Sequence, residues 1–293
     1  MSKKATAQFW DTAHRYLGHQ LKVIRQVSSH TIDSYRDCLN SFIDYLERVE
    51  NISRKKISFH NFGKETIKRY QTWMITEQGL APKTCNLRLT AIRSFLEYAA
   101  QEYLWLMPVY TDACTIAGVK TPNHAIEYFE PDEMTALLAA PSGTSRTDRR
   151  NQMMLIFLYD TAARVAEARQ VKVSDLHLDA GVPYVTLLGK GRKYRNIPLM
   201  EKTVLHLKRY LKDFHGSDPK TDLPLFYAKA HGLLHELSSD TFEKMIKRYA
   251  EQCREGGYPM PDRVHCHMIR KTRAMDLYRE GVPLPHIQQL LGH

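Results

Sequence analysis

Long apolar runs are missing from this chain. No stretch approaches the roughly 20 apolar residues that a membrane-spanning helix requires, and the N-terminal "MSKKATAQFWDTAHRYLGH" lacks the apolar core of a secretory signal. The expectation is a cytoplasmic protein with no membrane partner. Cysteine is sparse as well. The five present (Cys38, Cys85, Cys114, Cys253 and Cys266) are odd in number and widely spaced, which argues for free thiols in a reducing compartment and against a disulfide framework. No internal repeat or low-complexity tract interrupts the chain. Negative charge is in short supply: 32 Asp and Glu face 42 Lys and Arg, a formal net charge of +10. A polyanionic partner fits that balance, because Lys and Arg displace counterions from phosphates. No cluster of carboxylates suits Mg²⁺. The run His265-Cys266-His267 has soft ligands but no companion CxxC or HxxxH pair, so zinc is not expected either.

What is present is an ordinary globular composition, 43% hydrophobic and 25% charged, on 293 residues, long enough for two domains with a core each. The first third reads as helices alone. "FWDTAHRYLGHQLKVI" is amphipathic. "SSHTIDSYRDCLNSFIDYLERV" opens with Ser28 and Ser29 as N-cap candidates and places Ile32, Tyr35, Leu39, Phe42 and Leu46 on one face. "KETIKRYQTWMITEQG" stops at Gly79, and the next helix starts near Pro82 with Leu89, Ile92 and Leu96 facing inward. Four such helices predict a small bundle over residues 1–117.

Periodicity then fails. Gly118 and Pro122 mark a linker over 118–128, and a second, α-rich domain is expected over 129–293. There "RRNQMMLIFLYDTAARVAEARQ" reads as an apolar helix leading into a basic one. "VPYVTLLGKGRKYRNIPL" is the only strand-like region, two β-rich runs around the turn signal Gly189-Lys190-Gly191-Arg192. Helices resume with "EKTVLHLKRYLKDF", "SSDTFEKMIKRYAEQC" and "HMIRKTRAMDLYREG". The fold class predicted is therefore mainly α, with one small antiparallel sheet.

Four features of the second domain could carry chemistry: Arg164 with Glu167 three residues on, Lys190 at the hairpin tip, His267 with Arg270 one helical turn later, and the terminal Leu290-Leu291-Gly292-His293. Singly, each has a plain explanation. Arg164 and Glu167 could be an i,i+3 surface pair worth a few tenths of a kcal/mol, and hairpin lysines are usually solvated. Together and in this order they resemble the catalytic boxes of the tyrosine recombinase (phage integrase) family: T-G-x-R-x-x-E at Thr161, Arg164 and Glu167, G-K-G at Gly189 to Gly191, H-x-x-R at His267 and Arg270, and L-L-G-H at Leu290 to His293. The helices "SSHTIDSYRDCLNSFIDYL" and "PKTCNLRLTAIRSFLEYAA" resemble the family's core-binding domain, so the likeness spans nearly the whole chain. Two positions depart from the pattern: Ala162 stands where the family has glycine, and Lys271 follows Arg270 where histidine is frequent.

The resemblance implies a site-specific DNA recombinase that cuts and rejoins strands through a 3′-phosphotyrosine. Arg164 and Arg270 would clamp the non-bridging oxygens of the phosphate, two guanidiniums that stay charged and bind bidentately. Glu167 would orient Arg164, Lys190 would protonate the leaving 5′ oxygen, His267 would assist proton transfer, and His293 would donate to the phosphate. No cofactor or metal is implied, since the cations are built in. In the family the nucleophilic tyrosine follows the fourth box; none of the 16 tyrosines stands there, Tyr278 falling before it. The expectation is that residues 1–293 bind DNA and leave it uncut, as a piece lacking its nucleophile. The implied partners are double-stranded DNA held between two domains, a homotetramer on DNA for the full-length protein, and an accessory directionality factor. Lys83, Arg88 and Arg93, on the helix after Gly79, are the candidate phosphate contacts of the first domain. Two other readings fit parts of the pattern. A type IB topoisomerase shares the pocket chemistry but not the compact helical first domain. A DNA-binding regulator would need no general acid such as Lys190.

Overall fold

The computed structural model describes residues 3–122, 126–142, 145–189, 191, 193–216, 222–230 and 232–292. The chain divides into two compact units, Met1–His124 and Ala125–His293.

In the first unit, α1 (Lys3–Arg15) runs on through wider π-type turns over Tyr16–Ile24 and is followed by α2 (Ser29–Arg48), α3 (Lys64–Thr76), α4 (Pro82–Glu102) and α5 (Met107–Cys114). The local signals act as the sequence predicts. The Ser28 hydroxyl accepts the Thr31 N–H at 3.2 Å and caps α2, Gly79 takes φ +58° after α3, and Pro82 is the first residue of α4. Ile32, Leu39, Phe42 and Leu46 of α2 and Leu89, Ile92 and Leu96 of α4 are buried in one core, built round an aromatic cluster of Phe9, Phe42, Phe59, Phe62 and Phe95. Each such side chain removed from water stabilises the unit by about 1.5–3 kcal/mol before entropy is counted.

Two expectations need correction here. Helix α5 adds a fifth helix to the four expected, being too short to display a period. The start of the supposed linker is also not free: the Asn86 side chain of α4 donates to the Val119 carbonyl at 2.9 Å and accepts the Val119 N–H at 2.8 Å, and Gly118 lies against the same amide. Hydrogen bonding thus makes 118 and 119 part of the first unit.

The second unit contains α6 (Pro131–Ala139), α7 (Arg146–Thr161), α8 (Val165–Gln170), β1 (Leu176–His177), β2 (Tyr184–Leu188), β3 (Tyr194–Pro198), α9 (Glu201–His215), β4 (Tyr227–Ala230), β5 (Leu233–Glu236), α10 (Ser239–Glu255), α11 (Cys266–Arg279) and α12 (Leu284–Leu291). The anticipated hairpin is β2 and β3, with Val185 opposite Ile197 and Leu187 opposite Arg195. Val185, Leu187 and Ile197 supply its buried face. Strand β1 adds an antiparallel edge, and β4 and β5 form a second hairpin. These three strands correct the reading of a single strand-like region: β5 is exposed throughout and so shows no alternation of apolar and polar residues. The core packs α7, buried at Met154, Leu155 and Phe157, against α9, α10, α11 and the three-stranded sheet. Of the five cysteines only Cys114 is exposed. No described helix is long and apolar enough to cross a membrane.

Candidate active site

The site begins where α7 stops. Its last residue, Thr161, returns its hydroxyl to the Phe157 carbonyl at 2.6 Å and accepts the Ala163 N–H at 3.2 Å. Ala162 then adopts left-handed backbone, φ +48° and ψ 29°, and is 0% exposed. This is the position where the recombinase pattern has glycine, and the conformation explains why: a side chain there costs roughly 1–2 kcal/mol. The turn reverses the chain so that Arg164 becomes the residue preceding α8.

Glu167, in the first turn of α8 and 4% exposed, is the centre of a guanidinium cluster. One carboxylate oxygen accepts the Arg164 backbone N–H at 2.7 Å and the other accepts the Arg164 guanidinium at 2.8 Å. The same two oxygens take a bidentate fork from Arg195 of β3, at 2.9 and 2.7 Å. Arg270 of α11 stands 4.0 Å away. Burial pushes the Glu167 carboxyl up, but the Arg195 hydrogen bonds, then those of the Arg164 backbone and guanidinium, outweigh it and hold the group below the usual carboxylate range. Three guanidiniums face one carboxylate, which leaves two net positive charges in one place. Such a place attracts an anion.

Arg270 is 3% exposed and is held by main chain. It donates to the Ala162 carbonyl at 2.7 Å and to the Leu291 carbonyl at the end of α12. Burial, then repulsion from Arg164, lowers its pKa to about 10 against the pull of Glu167, so it remains a cation at neutral pH. The Arg164 side chain is one-third open to solvent, at 33%. His267, one turn before Arg270, is exposed. Partial burial of its ring, then the charges of Arg270, Lys271, His265 and Arg164, lower its pKa and favour the neutral ring. Between the two histidines Cys266 turns into the core, where burial and then Glu243 push its thiol up. Among the described residues no three His, Cys, Asp or Glu side chains group so as to hold a metal ion.

The structure thus brings Arg164, Glu167 and Arg270 together, with His267 on the same helix as Arg270. Lys190 and His293 lie outside the described residues. Their neighbours are placed, however. Gly189 donates to the Lys193 carbonyl at 2.8 Å, and a Cβ on it would meet a guanidinium nitrogen of Arg195 at 3.0 Å. Gly191 has φ +74°. Gly292 closes α12 with φ +69°, and a Cβ there would meet the Arg195 guanidinium at 3.1 Å.

Arg195 is the site residue that sequence reasoning misses. A signal exists: on a strand whose Ile197 faces the core, the residue two before it faces the core too. A charged side chain at such a position needs a buried partner. Of the three arginine and lysine candidates in the first unit, Arg93 makes hydrogen bonds inside that unit. Its guanidinium donates to the Ala113 carbonyl at 3.0 Å and to the Ile116 carbonyl, ending α5, so these donors are engaged within the unit. Arg88 is half-buried beside Cys38 and the Tyr70 hydroxyl. Lys83 is exposed.

Residues 127–293, more than half of the chain, match the phage integrase family, and residues 14–103 match the phage integrase N-terminal SAM-like domain. The chain belongs to the phage integrase family. It is 33% identical over 279 residues to tyrosine recombinase XerD of Halalkalibacterium halodurans, covering 94% of this chain and 87% of that protein. Tyrosine recombinase XerC of Staphylococcus haemolyticus is 26% identical over 275 residues, covering 94% and 86% respectively. The fold is that of solved integrases. The Tn1549 transposon integrase in complex with transposon right end DNA superimposes with a TM-score of 0.72 at 17% identity, over 99% of this chain and 91% of that one. A lambda integrase tetramer bound to a Holliday junction gives 0.69 at 17% identity, over 100% and 78%. The family's mainly helical fold with small antiparallel sheets is the architecture of this chain.

Proposed function

We propose that this protein is a site-specific DNA recombinase that cleaves and rejoins strands through a 3′-phosphotyrosine intermediate, moving or resolving a DNA element. The observation that carries the reading is the trio Arg164, Arg195 and Arg270 around the buried Glu167, in a chain of the phage integrase family. Transfer of a phosphodiester passes through five-coordinate phosphorus, with negative charge gathering on the non-bridging oxygens. Preorganised cations at those oxygens lower the barrier, because they need no reorganisation when the charge develops. Arg164 and Arg270 supply them. Glu167 fixes the direction of Arg164 through both backbone and side chain.

The nucleophile in this reading is a tyrosine beyond His293. Its oxygen forms a bond to phosphorus as the bond from phosphorus to the 5′ oxygen breaks, and the phosphoryl energy is kept in the protein–DNA ester. Lys190 gives the 5′ oxygen its proton. His267, kept neutral by its cationic neighbours, can accept a proton or hydrogen-bond the phosphate, and His293 donates to a non-bridging oxygen. Lys83, Arg88 and Arg93 are the proposed contacts of the first unit to the DNA backbone. The division of labour is a DNA-binding unit over residues 1–117 and a catalytic unit from 129 onward, and assembly on DNA is as a tetramer.

Selection from a random-sequence duplex pool identifies the binding site. Protein extended through the tyrosine is then mixed with that site carrying a nick next to the cleavage position, so that the cut fragment diffuses away. A covalent protein–DNA adduct that disappears in Arg164→Ala and Arg270→Ala, with site binding retained, is the expected result. Adduct formation undiminished in either variant rejects the roles, and relaxation of any plasmid without a selected site rejects site specificity. Residues 1–293 alone bind the site and form no adduct.

A further inference from the structure

We infer that Arg195 is a positioning residue that sets the backbone at Gly189, where the β2–β3 turn begins, and at Gly292, where α12 ends, and so tunes the anion affinity of the site between them. The inference rests on the proposed phosphodiester site and adds to it a residue outside the boxes visible in the sequence. From β3, Arg195 reaches two helices with one planar group. Its Nη1 and Nη2 take the two oxygens of Glu167 on α8 at 2.9 and 2.7 Å, and its Nε donates to the Leu290 carbonyl on α12 at 3.0 Å. Its side chain is 13% exposed. The guanidinium is also flanked by two glycines. A Cβ on Gly189 would come within 3.0 Å of Nη1, and a Cβ on Gly292 within 3.1 Å of it. Main chain thus lies close against this guanidinium at both the hairpin glycine and the helix-ending glycine, the second of which also needs glycine for its φ of +69°. The residues immediately after those glycines are Lys190 and His293.

A lysine at 195 would keep the charge but has no fork to divide between a carboxylate and a carbonyl. An ion pair that only added stability would be felt evenly across the unit. A positioning residue is felt at the two glycine turns and in the affinity of the site.

The test uses residues 1–293, amide hydrogen exchange resolved by residue, and inorganic phosphate as the probe. Arg195→Ala and Arg195→Lys are expected to speed exchange at Gly189 and Gly292 at least tenfold, with the amides of α7 and α11 unchanged, and to weaken phosphate binding about tenfold. Gly189→Ala serves if Arg195→Ala does not fold, since Gly189 is not in left-handed backbone and an added methyl there crowds the guanidinium without removing its charge, and it should loosen the same amides. Uniform acceleration across the unit overturns the inference, as does selective loosening with phosphate affinity intact or full rescue by lysine. Failure of the unmutated chain to bind phosphate would instead count against the proposed site, and the exchange pattern would still decide whether Arg195 holds the two turns.

Discussion

Replacing Glu167 with glutamine removes one charge and leaves three guanidiniums facing each other. Breaking a buried ion pair by deleting one partner costs about 3–5 kcal/mol. Glutamine keeps one oxygen, and one retained hydrogen bond returns about 1 kcal/mol. The net expectation is a loss of about 2–4 kcal/mol, which for a unit of this size lowers Tm by about 2–4 °C per kcal/mol. The two units can be followed separately, because all three tryptophans (Trp10, Trp73 and Trp105) belong to the first one. Circular dichroism should show the helical transition of the second unit falling by about 4–16 °C, while tryptophan fluorescence melts where it did before. The sign with pH is fixed by the lowered pKa of Glu167. A carboxylate held below its unfolded value contributes stability that is complete above that value and lost as pH falls through the folded one. The gap between Glu167→Gln and the unmutated chain should hold from pH 7 to about 5 and narrow below the ordinary glutamate range, near about 4.3. A loss under about 1 kcal/mol at pH 7 would falsify the view of Glu167 as the organiser of the cluster, as would a gap indifferent to acid.

Ala162→Gly should change stability by less than about 1 kcal/mol, because relief of left-handed strain (about 1–2 kcal/mol) is offset by a lost buried methyl (about 0.8) and by glycine's entropy (about 0.5–1); Ala162→Val, β-branched in the same conformation, should lose several times more in urea unfolding. Arg93→Ala should lower the tryptophan-monitored transition by about 1–3 kcal/mol through the freed carbonyls of Ala113 and Ile116, and unchanged stability with weakened DNA binding would mark it as a phosphate contact instead. Lys83→Ala should leave stability alone and reduce the slope of log affinity against log salt by about 0.9; an unaltered slope removes it from the interface. His267 should titrate by NMR below its ordinary value, given its partial burial and the cations around it, and Arg164→Ala should raise that midpoint.

The helices and the fold class are legible in the sequence because their signals are local. Ser28, Gly79 and Pro82 act on backbone within one turn of themselves, and the faces of α2 and α4 follow from a 3.6-residue period. The site is legible in part, since Arg164 with Glu167 and His267 with Arg270 are each separated by one helical turn. What stays hidden depends on residues far apart in the chain. The fork from Arg195 to Glu167 spans 28 positions, and Arg270 meets Ala162 across 108. No period announces such a contact. Helix α5 and strands β4 and β5 escape because elements of eight and four residues are shorter than the windows in which a pattern can be counted.

Arg270 is gripped by carbonyl oxygens of Ala162 and Leu291, atoms that every amino acid possesses. Selection can therefore exchange the letters at both positions while the grip survives, provided that the chain still follows the same path. At 162 the substitution of alanine for glycine is such an exchange: the left-handed turn persists at φ +48° and the oxygen still points at the guanidinium. The site is inherited partly as a trajectory. Comparison letter by letter undervalues that inheritance, and a relative with unfamiliar residues at these two places can keep the same pocket.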